Sequence, residues 1–288
     1  MSYTSVAAAV AKWYPDKTGT ANGILLVGFG LASMVFGGAV NKILNAVGWS
    51  RTFLMLGIAF GIILILAVQW LNEPGSDVAF PTPAGQRKSV TVFPDRDYTT
   101  AETVRRPTFW KIFIWAMFLC AGAYAVIGSV SPVLVSIGAS LAFGALATGF
   151  VSVFNGVSRI LWGAMYDRRG LKTAITVVTL VSIIGCGLSI FAVASANVAL
   201  VTVGFMLVGA GFGGVPVVAA TTINKMYGKK SYAANFSIYM LTLIPAAFLG
   251  PTLCGALFMN TGSYFIPMCV FFAGDIVSLV ISAAIRRP

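Results

Sequence analysis

Eight stretches of this chain, approximately 23–44, 53–71, 109–135, 143–163, 173–194, 198–223, 233–258 and 265–285, are apolar and nearly free of charge. A helix needs roughly 20 such residues to cross a hydrocarbon core about 30 Å thick, at about 1.5 Å per residue. Lipid offers no partner to a backbone N–H or C=O, so each stretch is expected to form a spanning helix. The fold class that follows is an all-α polytopic membrane protein. Only 9% of the residues are charged, against about a quarter in soluble domains. Residues 1–11, MSYTSVAAAVA, are too short to span. They also lack the basic start and long apolar centre of a signal peptide.

The formal charge of +11 does not point to nucleic acid, because the basic residues lie in short clusters between apolar spans. If residues 12–22 face the cytoplasm, alternate connections on that side collect 16 of the 19 lysines and arginines. Lys42 and Arg51 fall on the other side, and Arg159 falls within a span. Such asymmetry places both termini in the cytoplasm, and a plasma-membrane location is expected. The chain has no histidine, which excludes a histidine proton relay. Cys120, Cys186, Cys254 and Cys269 lie inside apolar spans without metal-ligand spacing. No metal or cofactor is implied.

Residues 72–108 are polar, proline-bearing and mixed in charge, and read as a flexible cytoplasmic linker. They separate a unit at 1–71 from a six-span unit at 109–288. The segment YPDKTGTAN at 14–22 partly recurs as YGKKSYAAN at 227–235, with Tyr, Lys, Ala and Asn repeated in register. Each copy leads into a glycine-bearing span on the same side. This suggests two halves related by a parallel repeat. The copies start 213 residues apart. On that offset, the counterpart of the second unit's start would lie roughly 105 residues before Met1, on the logic of repeat transporters. The chain is therefore expected to be the C-terminal portion of a longer carrier, with N-terminal helices needed to complete it.

Arg159 is the first candidate site residue. A charge in hydrocarbon costs roughly 2.5–3.5 kcal/mol on insertion scales, so it asks for a partner. Thr148, Ser152, Asn155 and Arg159 share one helical face, as expected of a stripe facing a cavity. A guanidinium grips carboxylates in two-pronged fashion, which points to an organic anion. Alternatively, Arg159 snorkels to the interface. Tyr124 and Ser131 on the third span, and Asn235, Tyr239 and Thr242 on the seventh, are lesser cavity candidates. Tyrosine and threonine also serve in helix packing.

The stretch GAMYDRRGLK carries a burst of charge at a span end. Gly170 permits a tight turn there, and Asp167 can pair with basic groups or the next helix's N-terminal amides. Asp275 is the only acid deep in a span. It could carry a proton, or be a structural, hydrogen-bonded aspartic acid in a peripheral helix. Gly209, Gly211 and Gly214 match GxGxxG but lie in a span with no preceding strand, so they are not a dinucleotide site. Tyr166–Asp167 with Gly274–Asp275 is a poor match to an intramembrane aspartyl protease, because Phe272 stands where the motif has glycine.

GAMYDRRGLK resembles the signature loop of the major facilitator superfamily, with Leu171 replacing the usual basic residue. WYPDKTGTANGILLVGFG, residues 13–30, looks like the segment between helices 4 and 5 of the oxalate/formate antiporter family. NGVSR before the loop is similar to that family's eighth helix. The resemblance implies the superfamily's architecture, incomplete, with about eight helices corresponding to helices 5–12 and residues 1–11 ending helix 4. It implies a secondary transporter working by alternating access. Arg159, Asn155, Ser152, Tyr124, Tyr239 and Thr242 would bind substrate, while Gly163, Asp167, Arg168, Gly170 and Lys172 would form the gating loop. In the family's oxalate carrier, a helix-8 arginine and a helix-11 lysine hold the dicarboxylate. Arg159 matches the arginine, whereas 233–258 contains no basic residue. One cation leans toward a monocarboxylate. The expected partners are a small organic anion, a counter-anion or proton, and the lipid bilayer. The other reading is a non-transporting fragment or membrane interaction subunit. An intramembrane hydrolase stands behind both, and no enzymatic role is expected.

Overall fold

The computed structural model describes residues 2–14, 17–69 and 97–285, and all regular structure among them is helical. In chain order the helices are α1 (Ser2–Trp13), α2 (Thr18–Val68), α3 (Thr100–Val104), α4 (Pro107–Ser136), α5 (Leu141–Ala194), α6 (Val198–Tyr227), α7 (Tyr232–Met240), α8 (Leu243–Thr261) and α9 (Phe265–Ala283). Among the described residues, six helical segments are long and apolar enough to cross a membrane.

Two helices are too long for one crossing: α2 has 51 residues and α5 has 54. Each divides at one glycine, Gly48 (φ 78°, ψ 167°) or Gly170 (φ 78°, ψ −179°). A side chain at positive φ would clash with the backbone, so only glycine turns the chain there cheaply. The breaks fall between expected spans, 23–44 and 53–71 in α2, and 143–163 and 173–194 in α5. The other ends are set by ordinary caps. Ser140 accepts from the Phe143 N–H and Asn197 from the Leu200 N–H. Pro107 opens α4, where its missing N–H costs nothing.

The expected seventh span is interrupted at Leu241–Thr242, between α7 and α8. Pro245 has no N–H to offer the Leu241 carbonyl. The Ile244 N–H takes that carbonyl instead at 3.1 Å, a tighter three-residue turn. Thr242, fully buried, ties the break to α4 by donating to the Phe113 carbonyl at 2.9 Å.

Most of the expected linker, 70–96, lies outside the described residues, but its final stretch is structured. Thr99 and Glu102 form a reciprocal capping box around α3. Asp97 accepts the backbone N–H groups of Lys229 (2.8 Å) and Lys230 (3.4 Å), and Tyr98 donates to the Tyr227 carbonyl at 2.9 Å.

Helices α5 and α6 pack most extensively, and α6 makes this possible with its glycines. A methyl at Gly209 would press on Val151, at Gly211 on Ser182, and at Gly214 on Val178 and Trp162. The GxGxxG spacing is thus a helix-packing face in contact with both arms of α5. The core has two main clusters. One, built around Trp115, Tyr166, Tyr227 and Phe236, occupies the end that carries Asp167 and Lys225, hereafter the basic end. The other, around Val130, Val151 and Phe205, fills the opposite end.

Candidate functional site

A cavity of about 240 Å³ is lined by Arg159 and Asn155 from α5, Tyr124 and Cys120 from α4, Phe212 from α6, and Tyr239 from α7. Leu26 of α2 also reaches it, so both sides of the linker contribute. Arg159 is 4% exposed and donates from Nη2 to Asn155 Oδ1 at 3.1 Å. The two residues sit one turn apart, so the asparagine steadies the guanidinium from its own helix. Tyr124 packs edge-on against Phe212, with centroids 5.2 Å apart. Tyr239 ends a stacked ladder with Phe236 and Tyr232 that runs from the basic end to the cavity. The other walls include Leu26, Val215, Met240 and Leu243. Among the described residues Arg159 is therefore the single positive charge lining a small, mostly apolar chamber.

Four of the six expected substrate ligands meet here: Arg159, Asn155, Tyr124 and Tyr239. Ser152 and Thr242 do not line the cavity. Ser152 donates to the Thr148 carbonyl of its own helix, and Thr242 makes the tie to α4 already described. Cys120, Phe212 and Pro216 line the cavity without having been singled out from sequence. Cys120 lies one turn before Tyr124, so helical spacing from that candidate could have found it, whereas no candidate on α6 pointed to Phe212 or Pro216.

Asp275 lies away from the cavity, in the seam between α9, α5 and α4. It is 1% exposed and accepts from Ser182 Oγ at 2.7 Å. A methyl on Gly122 of α4 would come within 3.8 Å of its Oδ1. Nearby, Ser278 donates to the Trp115 carbonyl, and the Trp115 indole donates to Thr179. These bonds form a polar seam fastening three helices.

The gating-loop residues divide in the same way. Asp167, at the end of the first arm of α5, accepts from the Gly19 N–H (3.0 Å), the Thr20 N–H (2.7 Å) and Thr20 Oγ (2.8 Å). It thereby caps α2, whose own N-cap residue Lys17 makes no side-chain cap bond. A carboxylate is favoured there because the N-terminal amides are unpaired and the helix dipole is positive. Lys225 of α6 lies 3.6 Å from the same carboxylate and 5.0 Å from the Tyr166 ring centroid. The helix that Asp167 caps is thus α2, from the other side of the linker, rather than the segment following Gly170. Arg168 and Lys172 are exposed, and Gly170 makes the turn. Gly163 meets Gly19 so closely that a methyl on Gly19 would stand 2.6 Å from the Gly163 carbonyl oxygen. Gly23 approaches the Arg159 carbonyl in the same manner.

The described helices thus hold one buried guanidinium, Arg159, against a cavity, and one carboxylate, Asp167, that fastens α5 to α2 at the basic end. Residues 1–251 match the Major Facilitator Superfamily model, and the chain belongs to that superfamily. It is 28% identical to the oxalate:formate antiporter of Oxalobacter formigenes over 257 residues, covering 87% of this chain and 58% of that protein. It is 24% identical to the uncharacterized MFS-type transporter YhjX of Escherichia coli K12, covering 80% and 55% respectively. The chain thus spans a little over half the length of these relatives. The fold resembles that of the superfamily transporter FucP, solved in the outward conformation, with a TM-score of 0.66 and 12% identity. That match covers 99% of this chain and 72% of FucP.

Proposed function

We propose that this chain works in a secondary active carrier for a small organic anion, a monocarboxylate in preference to oxalate, moved by alternating access. The observation that carries this reading is the enclosure of one guanidinium, Arg159, in a chamber otherwise walled by apolar and aromatic side chains. Holding a permanent cation there is costly, and a carboxylate entering the chamber offsets that cost with charge-assisted bonds. A second carboxylate on the substrate would face Leu26, Val215 and Leu243 with no cation to receive it. The similarity to an oxalate:formate antiporter supports carboxylate chemistry in general.

On this reading the basic end faces the cytoplasm of a plasma-membrane protein, with both termini on that side. The units 1–71 and 109–288 belong to opposing bundles joined by the linker. Asp167 then locks the cytoplasmic gate, since it joins α5 to α2 across the two bundles. Further N-terminal helices complete the carrier. Asp275 is a structural residue, which its bond to Ser182 and its distance from the chamber support.

The test is anion counterflow in proteoliposomes, comparing wild type with Arg159→Ala and Arg159→Lys. Losing the charge-assisted contacts is worth about 2–5 kcal/mol, so uptake should fall by roughly 30-fold or more in R159A. The R159K variant should retain part of the uptake with a raised KM. Normal uptake by R159A at unchanged affinity would refute the assignment. If no anion is exchanged by the wild type at all, the non-transporting subunit is favoured.

A further inference from the structure

The basic end holds a set of polar groups that the proposed mechanism does not use. Asn22 of α2 and Asn235 of α7 are each 0% exposed, and neither the amide nitrogen nor the amide oxygen of either has a hydrogen-bond partner among the described residues. Asn224 of α6, at 1% exposure, has an unpaired Oδ1, and the Tyr227 hydroxyl is likewise unpaired and buried. A buried amide with no partner keeps its full desolvation cost, so such groups are uncommon in settled cores. Here they gather at the basic end, from helices on both sides of the linker. Among the described residues the opposite-end cluster has no comparable set: its buried hydroxyls, such as Ser189 and Thr202, donate to carbonyls of their own helices.

Asn22 and Asn235 are also the closing residues of the two repeated segments, 14–22 and 227–235. They occupy matching places in the repeat, four residues after α2 begins at Thr18 and three after α7 begins at Tyr232. Asn22 lies between Gly19 and Gly23, the two glycines pressed against α5 by the Asp167 latch. Releasing that latch would separate the surfaces that seal it.

We propose that Asn22 and Asn235 form the polar lining of the cytoplasmic half of the translocation path, hydrogen-bonding to water and to the passing carboxylate when the basic end opens. The proposal rests on the reading of the basic end as a gate. Each amide carries an N–H₂ suited to a carboxylate and an oxygen suited to water, so neither needs a charge to serve both. Their unmet bonds make the sealed state less favourable and keep the open state within reach. A gate held only by Asp167 and apolar packing would lack that counterweight.

The test is state-dependent labelling in a background with C120A, C186A, C254A and C269A. Single cysteines are placed as N22C, N235C and, as a control of equal burial in the opposite half, S189C. Each is treated with the anionic reagent methanethiosulfonate ethylsulfonate, with and without D167N. Spin labels at K17C and K230C, both exposed positions, report opening of the basic end independently. The expected result is a longer spin–spin distance in D167N, with labelling of N22C and N235C rising at least tenfold and S189C unchanged. A longer distance without labelling of the two positions overturns the lining and leaves the gate standing. Equal labelling of S189C would mean general loosening and also overturns it. An unchanged distance with no labelling overturns both. Should the cysteine variants fold poorly, N22L and N235L give a second reading. An apolar side chain has no bonds to regain, so these variants should reduce the open fraction that D167N produces; no reduction counts against the proposal.

Discussion

The two copies of the repeated segment begin alike and end in different packing. In the first, the helix start at Thr18–Thr20 is held by Asp167 from across the bundle, and Gly19 lets α2 touch α5 backbone to backbone. In the second, the carboxylate is Asp97 from the linker, and it binds one turn earlier, at Lys229 and Lys230. Tyr232 stands where the first copy has Gly19, and its ring stacks on Phe236 at 5.6 Å. A shared local motif therefore sets where a helix begins. Which residue stands at its first inward position decides whether a neighbouring backbone or an aromatic side chain fills the space.

That contrast can be broken in stages. The largest effect is expected from Gly163→Val, because a Cβ at Gly163 would collide with the Gly19 carbonyl and neither backbone can yield. Overpacking of this kind costs about 1–3 kcal/mol or more. The variant should lose α2–α5 contact and at least 90% of counterflow, while Gly28→Ala, where a methyl meets nothing within 4 Å, should be silent in both. Next is Asp167→Asn, which keeps one acceptor but removes the charge from the α2 cap and from Lys225. A loss of about 1–2 kcal/mol is expected from weakened charge-assisted bonds. It should appear as a shift of the K17C–K230C distance distribution toward the open form. An unchanged distribution would mean the charge is not what holds the first copy.

Smaller still is Asp97→Ala. Its bonds are exposed, so about 0.5–1.5 kcal/mol is at stake. Faster hydrogen exchange over 97–106 and 228–231, with counterflow within twofold of wild type, is the expected pattern; a collapse of counterflow would place Asp97 in the gate. Ser182→Ala tests the Asp275 seam in a third place. It leaves the acid without the Ser182 bond and should lower Tm without changing substrate affinity. A change in affinity at unaltered Tm would connect the seam to the cavity.

Sequence reading located the spans because lipid allows few alternatives, and it located the Gly170 turn because the charge burst and the glycine coincide. Arg159 and Asn155 were visible as a polar stripe on an apolar helix, and they line the chamber. Ser152, on the same stripe, bonds to its own helix and does not line the chamber. A hydroxyl can satisfy itself on the carbonyl one turn back, whereas an arginine is too long and charged to do so. Thr242 looked like a ligand from its spacing with Tyr239. At the α7–α8 break it donates instead to the Phe113 carbonyl of α4. The partner of Asp167 was invisible because the contact joins residues 147 positions apart, and no local pattern specifies which helix start a carboxylate will cap. The exposed second arm of α2, where Phe53, Ile58 and Ile65 are more than half exposed, shows the limit of hydrophobicity. Apolarity marks a membrane helix but does not say what it packs against.

The most direct measurement is equilibrium binding of a monocarboxylate and of a dicarboxylate of equal carbon number to the purified protein and to Arg159→Gln. The wild type should show saturable one-to-one binding of the monocarboxylate and weaker binding of the dicarboxylate, and R159Q should lose both at unchanged helical content. Equal affinity of R159Q and wild type for the monocarboxylate would contradict the central claim that Arg159 receives the substrate's charge.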